Sequence, residues 1–497
     1  MMELKTSLLP HQEEAFEKLR KLKAGALFME QGTGKTRTAL SLIKARLDAG
    51  KADAVLWLCP CSVKKNLRED ILFHCGEMPE GFVVRGIESL SSSDRLYLML
   101  RKLVETHKVF LVVDETTLAK NPMAIRTERI TSLAGKCPYR LILNGTPISR
   151  NEADLFAQFY LLDWRILGYR SYYSFAANHL EYKRIRLPNG SEYVDRNRVE
   201  RVLNVGYLTE KIAPYTFQVK KADCLELPGK SYYGRGFYMT DEQGSCYDEV
   251  ESEFLAKVDE IRAETIYKLF AACQHVSSGR KVLSGPEERM RTAPLFPDPR
   301  DNPRIQELLG LLEDIGDEKA IIFCKYQQEI DDIMGILGSR AVEFTGRLGQ
   351  KWRQESRQLF RDSVQFLVAN KTCGAFGLNL QFCHNVIFYN NDFNLATRLQ
   401  AEDRVHRLGQ EEEVRIYDIV CYGTIDEFIL DCIRRKENLA ESFKRLVEAE
   451  QKEGKDWRKS IKRKMYTKRS GSGSDSSSAS SRASTSRSQV GRTPASS

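Results

Sequence analysis

Lys35 and Thr36 close a glycine-punctuated run, MEQGTGKT over 29–36, between an apolar stretch and a helical one. The N–H groups of such a turn, with the start of the helix behind it, face a phosphate chain. A lysine there would neutralise the β- and γ-phosphates, and a threonine hydroxyl would bind Mg²⁺. Gly32, Thr33 and Gly34 shape the loop, although the strict pattern asks for glycine where this chain has Met29. A second set, Asp114 and Glu115, ends the apolar run KVFLVVD. Acids at the C-terminal edge of a parallel strand can hold a metal (Asp114) and polarise an attacking water (Glu115); the plainer alternative is a pair that caps the next helix. The third set is QAEDRVHRLGQ, 400–410, with Gln400, Arg404 and Arg407. On a helix, arginines three apart share a face, and planar, permanently charged guanidinium groups suit a γ-phosphate. A solvated basic helix face is the alternative. About 370 residues separate these arginines from Lys35, so both sets reach one phosphate only if a second lobe closes over the first.

The elements that must position these residues are visible. AGALFM (24–29), AVLWLCP (54–60), VFLVVDE (109–115) and RLILNGT (140–146) are short apolar runs separated by helical stretches. That alternation predicts a parallel sheet covered on both faces. Leu40, Ile43 and Leu47 fall at helical spacing, with Gly50 as the stop. From about Leu161 to Arg300 the alternation fails, and 247–275 reads as one or two amphipathic helices. It returns from Asn302 in AIIFCKY, VEFTG, QFLVAN, NVIFYNN and VRIYDIVC, which predicts a second α/β lobe. Beyond Lys468 the chain is Ser, Gly and Arg with almost no apolar residue, a composition that predicts disorder.

Length and charge bound the rest. A chain of 497 residues exceeds what one core usually organises. The net charge of +8 sits in the tail: from Lys455 onward there are eleven basic and two acidic residues, leaving 65 basic and 66 acidic before it. The body is therefore balanced, and a nucleic-acid groove there must come from local placement of charge. Twelve cysteines without CxxC spacing argue against structural zinc or a disulfide framework. No apolar run approaches the ~18 residues of a membrane span. MMELKTSLLPHQEE lacks a signal pattern. The expected location is cytoplasmic, in a prokaryotic or phage-infected cell, and nuclear only in a eukaryote.

In order along the chain, these motifs resemble the Swi/Snf-type ATPases, a branch of the superfamily II helicase-like DNA translocases. The resemblance covers roughly residues 8–445. LLPHQ (8–12) is similar to the family's adenine-reading segment and nominates Gln12. MEQGTGKT stands where the family has a similar loop that also lacks the early glycine. LWLCPCSVKKNLRED (56–70) resembles its DNA-backbone segment, DETTLAKN (114–121) its acidic motif and LNGTPISR (143–150) its coupling motif. LPGKSYY (227–233) and MTDEQGSCY (239–247) resemble the linker strand and Gln-to-Tyr spacing of this branch. FTGRLGQKWRQESRQLF (344–360), NKTCGAFGLNLQ (370–381), VIFYNNDFN (386–394) and QAEDRVHRLGQ complete the series. Thr117 stands where the family usually has histidine, and Asn144 and Arg150 alter the coupling motif.

The resemblance implies two RecA-like parallel-sheet lobes in tandem, a helical insertion between them and a disordered C-terminal tail. The expected divisions are 1–163 for the ATP-binding lobe, 164–300 for the insertion and linker, 301–450 for the second lobe and 451–497 for the tail. It implies ATP held by Gln12, the loop 32–36 and Gln400, with Mg²⁺ on Thr36 and Asp114. Coupling falls to Thr117, Gly145, Thr146, Gly377 and Asn379. Backbone contacts to double-stranded DNA, with little sequence specificity, fall to Ser62, Lys64, Thr345 and Thr372. The implied activity is ATP-driven movement on duplex DNA by a compact prokaryotic or phage-type member. A strand-separating or annealing DNA or RNA helicase, and an ATP-gated DNA-binding switch, stay open beside it.

Overall fold

Apolar runs buried on both faces become the central strands of two parallel sheets. The computed structural model of the chain describes residues 2–145, 152–186, 191–258, 262–370, 380–393, 395–454 and 456–458. The first five strands are β1 (Ala24–Met29), β2 (Ala54–Cys59), β3 (Phe82–Gly86), β4 (Val109–Asp114) and β5 (Tyr139–Asn144). Every residue of β1 and β2 is buried, as continuous apolar strands in a doubly covered sheet must be. Leu27, Leu40, Ile43 and Trp57 fill one side, and Phe28, Leu56, Leu111 and Phe159 the other. Gly50, at φ +62, follows the helix Lys35–Asp48 as expected.

The segment expected to be a helical insertion is more mixed. Helices Asp241–Ala256 and Ala263–Ser277 form where the amphipathic pattern puts them. Before them come an antiparallel hairpin, β6 (Leu180–Arg186) with β7 (Glu192–Val202), and then β8 (Thr216–Val219) and β9 (Lys230–Phe237). β8 joins the first sheet beside β1, and β9 joins the second. Each has a neighbour on one side only and is partly exposed, so neither carries the continuous apolar run that marks a central strand. A small ladder of β10 (Arg280–Val282) and β11 (Thr292–Pro294) follows.

The second lobe holds β12 (Ala320–Cys324), β13 (Ala341–Phe344), β14 (Phe366–Asn370), β15 (Asn385–Phe388) and β16 (Val414–Cys421). The first sheet runs β3-β2-β4-β5-β1-β8 and the second β13-β14-β12-β15-β16-β9. All of their pairings are parallel. The chain thus passes from one sheet edge to the other between β8 and β9. The helices of the 241–277 region pack on the second lobe, where Tyr247 and Phe270 share a core with Phe428 and Phe443. Nearly all of the serine-rich tail, from 459 onward, lies outside the described residues.

Candidate nucleotide site between the lobes

β1 ends at Met29 and the helix Lys35–Asp48 begins six residues later. Between them Gly32 and Gly34 take φ +84 and +87, a region that a β-carbon strains. Space matters as well. A β-carbon on Gly34 would run into the Gln12 amide, and one on Gly32 would sit 3.1 Å from Cβ of Arg407. The loop is bare on both sides because the N-terminal helix presses on one and the second lobe on the other. Gln12, buried, donates from Nε2 to the Thr33 carbonyl at 3.0 Å, and its Oε1 accepts the Leu9 N–H at 3.2 Å. Its placement braces the loop from within.

Lys35 Nζ donates to the carbonyls of Met29 at 2.7 Å and Glu30 at 3.3 Å. Burial pushes its pKa down; Glu115 and Asp114 oppose that, and Arg404 from the second lobe adds to it. Asp114 is pushed up to about 7, first by burial and then by Glu115, against the pull of Lys35 and of the Glu115 N–H on its Oδ1. Glu115 itself has φ +51, uncommon for a residue with a side chain. Thr36 lies in the first turn of the helix.

β5 lies between β1 and β4, so the coupling segment sits between the loop and the acids. A β-carbon on Gly145 would be 3.6 Å from Cγ of Gln31. Buried Asn144 donates from Nδ2 to Gln158 Oε1 at 3.2 Å and to Thr116 Oγ1 at 3.4 Å, and Thr116 donates to the same Gln158 oxygen at 2.9 Å. Half-buried Thr117 is the next residue. Thr146, Arg150, Thr372, Gly377 and Asn379 lie outside the described residues.

Arg404 and Arg407 are not on a helix, contrary to the spacing argument. The helix Leu395–Glu402 stops before them, with half-buried Gln400 in its last turn. Tertiary bonds take the carbonyls that a helix would use: Leu380 N–H donates to the Arg404 carbonyl at 3.1 Å, and Lys221 Nζ to the His406 carbonyl at 2.8 Å. Gln410 Nε2 closes the turn on the Cys383 carbonyl at 3.0 Å. Burial lowers Arg404 to about 10, and Arg407 adds to this, while Glu115, Asp403 and Asp70 oppose it. Burial also lowers Arg407, opposed by Asp70 and Asp403. Asp70, on the helix Lys64–Cys75, is pushed up by burial, with both arginines pulling it down. The second lobe's arginines therefore lie in the electrostatic surroundings of Asp70 and Glu115 on the first.

Asp70, Lys221, Glu30 and Asp403 were not singled out in sequence. Asp70 stands in the LCPCSVKKNLRED stretch read for DNA, and Asp403 inside the arginine motif. Their signal was their neighbourhood, since nothing local marks the partner. Of the DNA candidates, Ser62 is exposed and Lys64 half-buried at the start of its helix. Thr345 is a correction. It is buried at 1% exposure and its hydroxyl donates to Glu343, so its side chain faces no open surface.

Residues 11–286 match the SNF2-related domain. The chain belongs to that family. Residues 303–409 match the helicase conserved C-terminal domain. This SNF2-related chain is an ATP-hydrolysing core of the helicase-like class. It is 24% identical over 474 residues to the uncharacterized ATP-dependent helicase YqhH of Bacillus subtilis, covering 87% of this chain and 79% of YqhH. It is 24% identical to the ATP-dependent helicase brm of Drosophila melanogaster, covering 67% of this chain and 21% of brm. With the TATA-binding protein-associated factor MOT1 of Saccharomyces cerevisiae the identity is 25%, covering 69% and 21%. The chain thus spans about a fifth of brm and MOT1. Among solved structures, the Sulfolobus solfataricus SWI2/SNF2 ATPase core in complex with dsDNA aligns over 90% of this chain and 94% of that one, at 22% identity and a TM-score of 0.38.

Proposed function

We propose that this SNF2-related ATPase moves along double-stranded DNA and remodels DNA or protein–DNA complexes as it goes. The observation that carries the reading is Arg407 of the second lobe packed against Gly32 of the phosphate loop. An ATP site completed by two lobes makes lobe closure depend on nucleotide state. A polymer bound across both lobes is then shifted each time the cleft opens.

The roles follow from placement. Lys35 leaves the Met29 and Glu30 carbonyls for the β- and γ-phosphates of ATP. Glu115, aimed by its left-handed backbone, accepts the proton of the attacking water. Arg404 and Arg407 balance the charge that spreads over the γ-phosphoryl group. Gln12 contributes by holding the loop in shape. The oxygen donors of Thr36 and Asp114 fit Mg²⁺, and the raised pKa of Asp114 marks a buried acid pair that Lys35 alone does not balance. Held by those two residues, Mg²⁺ would supply positive charge against the β- and γ-phosphates. Asn144, Thr116 and Gln158 link the acid motif to the end of β5, the route by which hydrolysis would reach the DNA face.

Ser62 and Lys64 are offered as DNA-backbone contacts. Such contacts carry no sequence information, and stimulation by DNA should fall steeply with salt. The test is a pair of substrates. The protein should use ATP to displace a third strand from a DNA triplex while leaving a forked duplex paired, with displacement abolished by Glu115→Gln. Unwinding of the fork without triplex displacement would instead establish a strand-separating helicase. Displacement that persists in Glu115→Gln but is lost in Lys35→Ala would establish an ATP-gated switch.

A further inference from the structure

The short helix Lys221–Cys224 stands where the chain crosses from β8 to β9, between the two sheets. Lys221 is buried there at 6% exposure. Its backbone N–H donates to Oε2 of Glu30 at 2.8 Å, and the Glu30 N–H donates to the Val219 carbonyl at 3.2 Å. The phosphate loop is thereby knitted to the crossover. The side chain points the other way, into the second lobe. Nζ donates to Asp403 Oδ1 at 2.6 Å and to the His406 carbonyl at 2.8 Å. Asp403 precedes Arg404, and His406 precedes Arg407. One ammonium therefore spans the turn that presents both arginines. The same side chain also faces the loop, since a β-carbon on Gly32 would lie 3.8 Å from Lys221 Cε.

We propose that Lys221 is a positioning residue for hydrolysis: a latch on the crossover that holds the 403–406 turn against the phosphate loop so that Arg404 and Arg407 face the γ-phosphate. This rests on the reading that those arginines act on that phosphate. Burying a lysine is costly unless its donors are met, and here the acceptors come from the other lobe's catalytic turn. The latch is made only when the lobes are closed. Lys221 thus adds to turnover without touching the nucleotide. The Glu30 contact is a backbone one and survives any side-chain replacement, so substitutions at Lys221 cut the link to the second lobe and spare the loop.

The test uses the full chain with duplex DNA. ATP hydrolysis is measured against ATP concentration for Lys221→Met, Lys221→Arg, Asp403→Asn and Arg404→Ala, with melting temperature as the check on folding. Methionine keeps the volume and removes the charge, so a merely space-filling role would survive it. The expected result is a kcat about 10- to 100-fold lower for Lys221→Met and Asp403→Asn, KM for ATP within about threefold, and most of the rate retained in Lys221→Arg. Full kcat in Lys221→Met, or a loss confined to KM, overturns the latch. If the Lys221 variants fail to fold, Asp403→Asn decides, because it breaks the same pair from the other side. Should Arg404→Ala itself keep full turnover, the reading of the arginines fails; should Arg404→Ala abolish turnover while Lys221→Met does not, only the latch fails.

Discussion

Buried arginines separate the two lobes. In the first, Arg37 at 6% exposure gives its protons to neutral oxygens: Thr6 Oγ1 at 2.8 Å, the Thr6 carbonyl, and Ser41 Oγ at 2.5 Å. Burial lowers its pKa. In the second, Arg398 and Arg304 are as deeply buried but paired with carboxylates. Arg398 donates to Glu402 at 3.0 Å and to both Asp418 oxygens, and Arg304 to Asp426. Burial opposes ionisation there too, yet Asp418 and Glu402 hold Arg398 up, and Asp426 holds Arg304 up. Glu402, at 1% exposure, also takes Lys230 Nζ at 3.1 Å and the Tyr232 hydroxyl at 2.9 Å, both from β9. The first lobe positions its chemistry with backbone, through glycines in a loop and acids at a strand end. The second holds a side-chain turn in place through a buried ion network.

The largest effects break the comparison at the point where the lobes meet. Lys35→Ala and Arg407→Ala should each lower DNA-stimulated turnover by about 10³-fold or more. They should differ in binding, with ATP affinity lost in the first and largely kept in the second, as read by equilibrium titration with a fluorescent ATP analogue. Loss of affinity in both would mean that Arg407 only holds ground-state nucleotide.

Stability comes next. Arg398→Met leaves buried Asp418 without its cation and Glu402 with Lys230 alone, a change of about 3–5 kcal/mol. Arg37→Met leaves only neutral oxygens and should cost about 1–3 kcal/mol. Urea unfolding should show the ordering, with Arg398→Met also slowing turnover because the helix 395–402 carries the arginine turn. Equal losses would erase the proposed difference between the lobes.

Protonation supplies two smaller tests. The folded pKa of Asp114 is about 7, above its unfolded value, so its contribution to stability is fully present below pH ~4 and is lost as pH rises through about 7. Asp114→Asn should therefore raise the melting temperature at pH 8 and change it little at pH 4. His74 and His275 are pushed the other way, each to about 4: burial acts first in both, then Arg37 at His74, and Lys325 and Arg280 at His275. Their contribution is present above pH ~6.5 and is lost as pH falls through about 4. His74→Asn or His275→Asn should each flatten that acid limb by a few degrees of melting temperature. A pH-independent shift would assign these histidines to packing alone.

What was legible in the sequence was what is local. The strand, glycine loop and helix around Lys35 occupy one stretch, as do the apolar strand and acids at 109–115, and all fold as their pattern implies. What was hidden depends on distant partners. The 403–409 turn escapes helix because Leu380 and Lys221 claim its carbonyls. Lys221 and Asp70 acquire meaning only beside Asp403 and the arginines. β8 and β9 were faint because an edge strand needs only half the burial of a central one. Thr345 shows the limit of resemblance: a motif names a residue, but the Glu343 contact decides where its hydroxyl points.

The most direct test of a motor completed across two lobes on duplex DNA is ATP hydrolysis by the purified chain alone and with single-stranded DNA, double-stranded DNA or RNA. Lys35→Ala and Arg407→Ala are run beside it. The account predicts strong stimulation by duplex DNA, falling with salt and absent in both variants. Preference for single strands or RNA, or duplex-stimulated turnover that survives Arg407→Ala, would contradict it.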